Sequence, residues 1–116
     1  MGVCTNKPLG LSQQLLAALK LDHYFGAVLG GDSLPVRKPD PRHILKTIDA
    51  LESDPAFAVM IGDSISDISA AKAANIPVVG VSYGYTDIPV GQLNPDIVIH
   101  RLADLAPALA QISKGY

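Results

Sequence analysis

Two aspartates, Asp63 and Asp67, stand four residues apart just beyond an apolar run that ends in Gly62. If a helix begins near Ser64, that spacing puts both carboxylates on one side of its first turn. Such a pair suits the positive end of a helix macrodipole. It equally suits a hard cation: Mg²⁺ takes oxygen ligands, keeps several waters and is held by one or two protein carboxylates together with substrate phosphate. Other reactive groups follow other apolar runs. Thr5, with Asn6 and Lys7 behind it, can offer a hydroxyl and backbone amides to a phosphate oxygen, or simply close a turn. Lys38, in the stretch "LPVRKPDPRH", can neutralise phosphate as a point cation, or lie solvated at the surface.

These residues need elements to hold them. Short, mostly continuous apolar runs at residues 1–4, 27–30, 57–62, 78–82 and 97–100 read as strands buried on both faces. Helical patterns lie between them. Leu11, Leu15, Leu16 and Leu19 share one face of a helix ending near Lys20, and Ile44, Leu45, Ile48 and Leu51 share a face of a second. Asp40 is placed to cap that second helix, with Pro41 at its first position. Ile65, Ile68 and Ala71 line a third helix. Leu105, Leu109 and Ile112 line a fourth, with Asp104 as its expected cap and Pro107 in its first turn. Strands alternating with helices predict a single α/β core domain over 1–116: a Rossmann-like, mostly parallel sheet flanked by helices. In such sheets ligands gather beyond the carboxyl ends of the strands, where Thr5, Lys38 and Asp63 all fall. The segment 83–95, rich in Gly, Pro and Asn, reads as the longest irregular stretch.

Composition narrows the function. With 48% hydrophobic and 17% charged residues the chain is an ordinary folded protein, long enough at 116 residues for one domain. A net charge of −2 and scattered basic residues give no footprint for nucleic acid or an anionic membrane surface. No apolar run approaches the ~20 residues that span a bilayer. The single cysteine, Cys4, forms no internal disulfide and reads as a structural thiol of a reducing compartment, so the expected location is the cytoplasm.

Four ordered blocks then carry a resemblance. "TNKP", "LDHYFGAVLGGD", "RKPDPRHIL" and "GDSISDISAAKAANIPVVGVSYGY" look like the second, third and fourth motifs of haloacid-dehalogenase-type phosphatases and their surroundings. Over nearly the whole chain the pattern is similar to the bacterial phosphoglycolate phosphatases. The resemblance implies that Thr5 and the amide at Asn6 bind the transferred phosphoryl group, and that Lys38 stabilises an aspartyl-phosphate. It implies that Asp63 binds Mg²⁺ and Asp67 supports the site. The implied substrate is a small phosphorylated organic acid, 2-phosphoglycolate.

One part of that pattern is missing. The reaction of these phosphatases starts from a D-x-D-G-[TS] motif on the first strand, and no two aspartates in this sequence are separated by one residue. The chain opens at what resembles the second-motif strand, so a fragment lacking the first strand and the cap is expected, carrying the phosphate-binding and metal-supporting half of the site. In the family sheet the absent strand lies between those bearing Thr5 and Asp63. Its loss would leave unpaired backbone groups there and favour self-association.

Two alternatives come from other classes. "GDSIS" also resembles the nucleophile block of GDSL-type serine esterases, with Ser64 attacking. The only D-x-x-H, Asp40 to His43, precedes that serine, whereas His100 follows it with Asp96 four residues earlier. His23 and His43 read as surface or packing residues. The second alternative is a catalytically inactive phosphate- or metal-binding module.

Overall fold

The computed structural model describes residues 1–82 and 90–115. The chain divides into two compact units, Met1–Phe57 and Ala58–Tyr116. In both, all strand pairs are parallel and helices pack on the sheet, the α/β class that the alternating pattern predicts.

The first unit contains β1 (Gly2–Cys4), α1 (Leu9–Ala18), β2 (Ala27–Leu29) and α2 (Pro41–Ala50). Gly2 faces Ala27 and Cys4 faces Leu29. The ladder is lengthened at both ends, by Gly26 N–H to the Met1 carbonyl (2.8 Å) and Thr5 N–H to the Leu29 carbonyl (3.0 Å). Helix α2 lies on both strands and buries Ile44 and Ile48. Its start follows from sequence chemistry: the Asp40 carboxylate accepts the Arg42 N–H at 2.9 Å, and Pro41 opens the helix.

Helix α1 turns differently from expectation. Leu11, Leu15 and Leu19 are exposed, and its inward positions are Leu9, Ser12 and Leu16. A leucine-rich helix offers two overlapping apolar stripes. The one chosen here goes with a long-range anchor, the Leu9 N–H donating to Asp32 Oδ1 (2.8 Å), in a helix whose own N-cap, Pro8, supplies no side-chain bond.

The second unit contains β3 (Met60–Gly62), α3 (Ile65–Ala73), β4 (Val78–Val81), β5 (Ile97–Ile99) and α4 (Leu105–Gly115), in sheet order β3-β4-β5. Strand β4 is buried at every residue, as a central strand with a continuous apolar run should be. Val79, Val81, Ile99, Ala108 and Ile112 form the core, flanked by Val59, Ile97 and Leu105. Strand β3 starts later than its apolar run suggests. Asp54 takes the Ala56 and Phe57 N–H groups (2.8 and 2.9 Å), so Pro55–Phe57 forms a 3-10 turn and Phe57 is exposed. On α3, Ile68 and Ala71 are buried but Ile65 is exposed. Asp104 accepts from Arg101 Nη2 at 3.2 Å. Of the segment 83–95, residues 83–89 lie outside the described residues, and Val90–Leu93 is a 3-10 turn rather than irregular chain.

The strands form two sheets, not one. Among the described residues no helix is long and apolar enough to cross a membrane.

Candidate active site

In the first unit, the turn after β1 and the stretch before α2 meet although they are 32 residues apart. The Asn6 side-chain amide pairs with the backbone of Lys38 in both directions. Lys38 N–H donates to Asn6 Oδ1 (3.0 Å), and Asn6 Nδ2 donates to the Lys38 carbonyl (3.1 Å). An amide satisfies a peptide group in this way because it carries both a donor and an acceptor. The Lys38–Pro39 peptide is cis. Thr5 Oγ1 accepts the Lys7 N–H at 3.2 Å. That bond uses a lone pair of the hydroxyl and leaves its proton to donate elsewhere. Thr5, Asn6 and Lys38 are all half-buried, so a ligand there would meet groups already held in place and partly shielded from water.

Behind this turn the chain is packed backbone on backbone. A Cβ on Gly30 would collide with the Leu9 backbone, and one on Gly31 with the Asn6 carbonyl. The Gly31 N–H donates to the Lys7 carbonyl (2.6 Å), Arg37 Nε donates to the Gly31 carbonyl (3.1 Å), and His43 Nε2 bonds the Gly30 carbonyl (2.9 Å). Reasoning from sequence missed Arg37 and His43 as parts of this site. The Gly-Gly-Asp that ends the β2 run was the available signal for a close approach.

In the second unit, Asp63 and Asp67 flank the start of α3. Asp67 is buried, and its Oδ2 accepts the Asp63 N–H (3.1 Å) and the Ser64 hydroxyl (3.2 Å). Ser64 is the N-cap, its Oγ receiving the Asp67 N–H. Gly62 is required beneath them, because a Cβ there would run into the Asp67 side chain. Asp67 thus braces the turn that presents Asp63, which is half-buried. Oxygen donors at a helix start suit Mg²⁺, which needs only one or two protein carboxylates. Among the described residues no group of three or more His, Cys, Asp or Glu could hold a metal ion. Ser64 is tied to Asp67 in this way, and the Nδ1 of His100 lies 2.6 Å from the hydroxyl of Ser82, so the geometry does not favour the serine-esterase alternative.

Parallel strands whose carboxyl ends carry polar turns define a Rossmann-like α/β protein. The family model for haloacid dehalogenase-like hydrolases matches residues 1–81, and the chain belongs to that family. It is 49% identical to a phosphoglycolate phosphatase of Agrobacterium fabrum, over 99% of this chain and 50% of that protein. It is 47% identical to one of Caulobacter vibrioides, over 91% and 45%. Among solved structures it is similar to a predicted phosphoglycolate phosphatase of Haemophilus somnus (TM-score 0.87, 39% identity, 92% of this chain and 48% of that one). It is also similar to a phosphatase of the same superfamily from Thermococcus onnurineus (TM-score 0.79, 31% identity, 93% and 49%). The chain therefore spans about half the length of the relatives it matches.

Proposed function

We propose that these residues supply the phosphate-binding and metal-supporting half of a cytoplasmic phosphomonoesterase that hydrolyses 2-phosphoglycolate through an aspartyl-phosphate. The observation that carries this reading is the Asn6–Lys38 pairing, which ties a lysine to the strand-end Thr5-Asn6 turn within one unit. In it, the Thr5 hydroxyl and the Asn6 amide bind the phosphoryl oxygens, and the Lys38 ammonium offsets their charge. Asp63 would hold Mg²⁺, with Asp67 fixing the turn. The ion's contribution, when bound, is to neutralise phosphoryl charge. No D-x-D occurs in the sequence, so this reading requires that the attacking carboxylate be supplied from outside these 116 residues. The names of the relatives support the substrate assignment.

The test is phosphate release from 2-phosphoglycolate and from an aryl phosphate, with and without Mg²⁺. It uses the 116-residue chain alone and mixed with the amino-terminal half of the Agrobacterium relative. Mg²⁺-dependent release only in the mixture, abolished by Asp63→Asn, is the expected result. Release by the chain alone that survives Asp63→Asn would sink the proposal.

A further inference from the structure

His43 enters the first unit from α2 and is fully buried at 0% exposure. Its Nε2 lies 2.9 Å from the Gly30 carbonyl. A carbonyl only accepts, so Nε2 carries the proton and Nδ1 is left with a lone pair. Among the described residues that Nδ1 has no hydrogen-bond partner. An apolar side chain would fill the same space without an orphaned polar atom, which is costly in a buried site. What imidazole adds is the bond to Gly30.

That bond reaches the candidate site through short, rigid links. The Gly30 carbonyl also takes the Ser33 N–H (3.1 Å), and the Gly30 N–H donates to Ser33 Oγ (2.8 Å), so Gly30 is held on both sides of its peptide. Gly31 follows, flush against the Asn6 carbonyl and bonded to the Lys7 carbonyl. Asn6 in turn holds Lys38. We propose that His43 is a positioning residue: through the Gly30 carbonyl it fixes the Gly30–Gly31 pair, and so sets the Thr5–Lys7 turn and, by way of Asn6, the Lys38 backbone. His43 acts through these groups and touches no ligand. The proposal rests on the phosphate-binding reading of that turn for its functional meaning, but not for its geometry.

Three substitutions separate position from mere filling. His43→Gln keeps a donor near the place of Nε2, His43→Asn moves it back to the place of Nδ1, and His43→Leu removes it. Amide hydrogen exchange in the 116-residue chain is followed at Gly31 and Lys38, with Ile48 of α2 as the reference for general loosening. Titration with inorganic phosphate is followed by the amide shifts of Thr5 and Asn6. The Asn and Leu variants are expected to speed exchange at Gly31 and Lys38 about tenfold more than at Ile48, the worth of one buried hydrogen bond, and to weaken phosphate binding by a similar factor. The Gln variant is expected to stay within about threefold of the parent, because its donor is retained. Equal effects of Gln and Asn, or exchange rising only in step with Ile48, would overturn the proposal. Imidazole nitrogen NMR on the unsubstituted chain decides even if no variant folds: a proton on Nδ1 instead of Nε2 refutes it. If the exchange pattern holds but phosphate shifts neither Thr5 nor Asn6, the phosphatase reading fails and the hold of His43 on the turn stands.

Discussion

The turn that carries Thr5 and Asn6 in the first unit and the turn that carries Asp63 in the second are built on opposite plans. The Asp63–Asp67 turn carries short-range bonds among its own residues, across three or four positions. Asp67 Oδ2 accepts the Asp63 N–H and the Ser64 hydroxyl, and Ser64 Oγ accepts the Asp67 N–H. The Thr5–Lys7 turn depends on side chains and backbone from three later stretches, around Gly30, Lys38 and His43. A locally built turn survives wherever its short segment folds. A turn assembled from distant segments exists only when the surrounding unit is packed, so it is the part of the site most open to perturbation from afar.

Substitutions can test that contrast. The largest effect is expected for Gly31→Ala, whose Cβ would meet the Asn6 carbonyl, a backbone atom that cannot swing aside. A loss of about 3 kcal/mol in urea unfolding is expected, and nearly as much for Gly62→Ala, whose Cβ would meet the Asp67 Cβ, an atom that no rotamer change can move. Next comes Asn6→Ala, which strips both partners from a part-buried Lys38 peptide and should cost about 1–2 kcal/mol. Asn6→Asp should recover only part of that, since a carboxylate accepts from the Lys38 N–H but has nothing to donate to its carbonyl.

Smaller effects sharpen the description of the first unit. Glu52 follows α2 at φ 55°, closing the helix with Glu52 N–H to Asp49 and Ser53 N–H to Ile48. Glycine avoids the steric cost of this left-handed conformation, so Glu52→Gly should stabilise by about 0.5–1 kcal/mol in the same unfolding measurement. The mildest expected effect is on pH. The carboxyl of Asp40 is lowered from 3.8 to about 2, first by the hydrogen bond from the Arg42 side chain and then by that from its backbone N–H. A depressed carboxyl contributes stability above its unfolded value and loses it as the proton binds. The capping contribution should therefore be complete above about pH 4 and fade toward about pH 2. Protection of the Arg42 amide should fall through that window, and Asp40→Asn should flatten the profile.

Much of this was legible in the one-dimensional pattern. The five described strands fall within their apolar runs. Of these only β4 is buried at every residue, as expected of all of them. Gly2 of β1 and Ile61 of β3 are exposed, since they lie on strands with a neighbour on one side only. The Asp40–Pro41 start of α2 and the Ser64–Asp67 start of α3 were readable because capping is local chemistry. The inward face of α1 was not, since its leucines offer two stripes and a bond to Asp32 lies 23 residues away. Nor did the 57–62 run reveal that Asp54 would draw its first residues into a turn.

The sequence by itself therefore determined the parallel α/β class and the choice of Thr5, Asn6, Lys38, Asp63 and Asp67 as candidates. Only the tertiary structure decided that Asn6 grips the Lys38 peptide and that His43 backs the turn from inside. Hydrogen bonds between residues 13 and 32 positions apart leave no period in the sequence, and they form only once packing has brought their donors and acceptors to the same place.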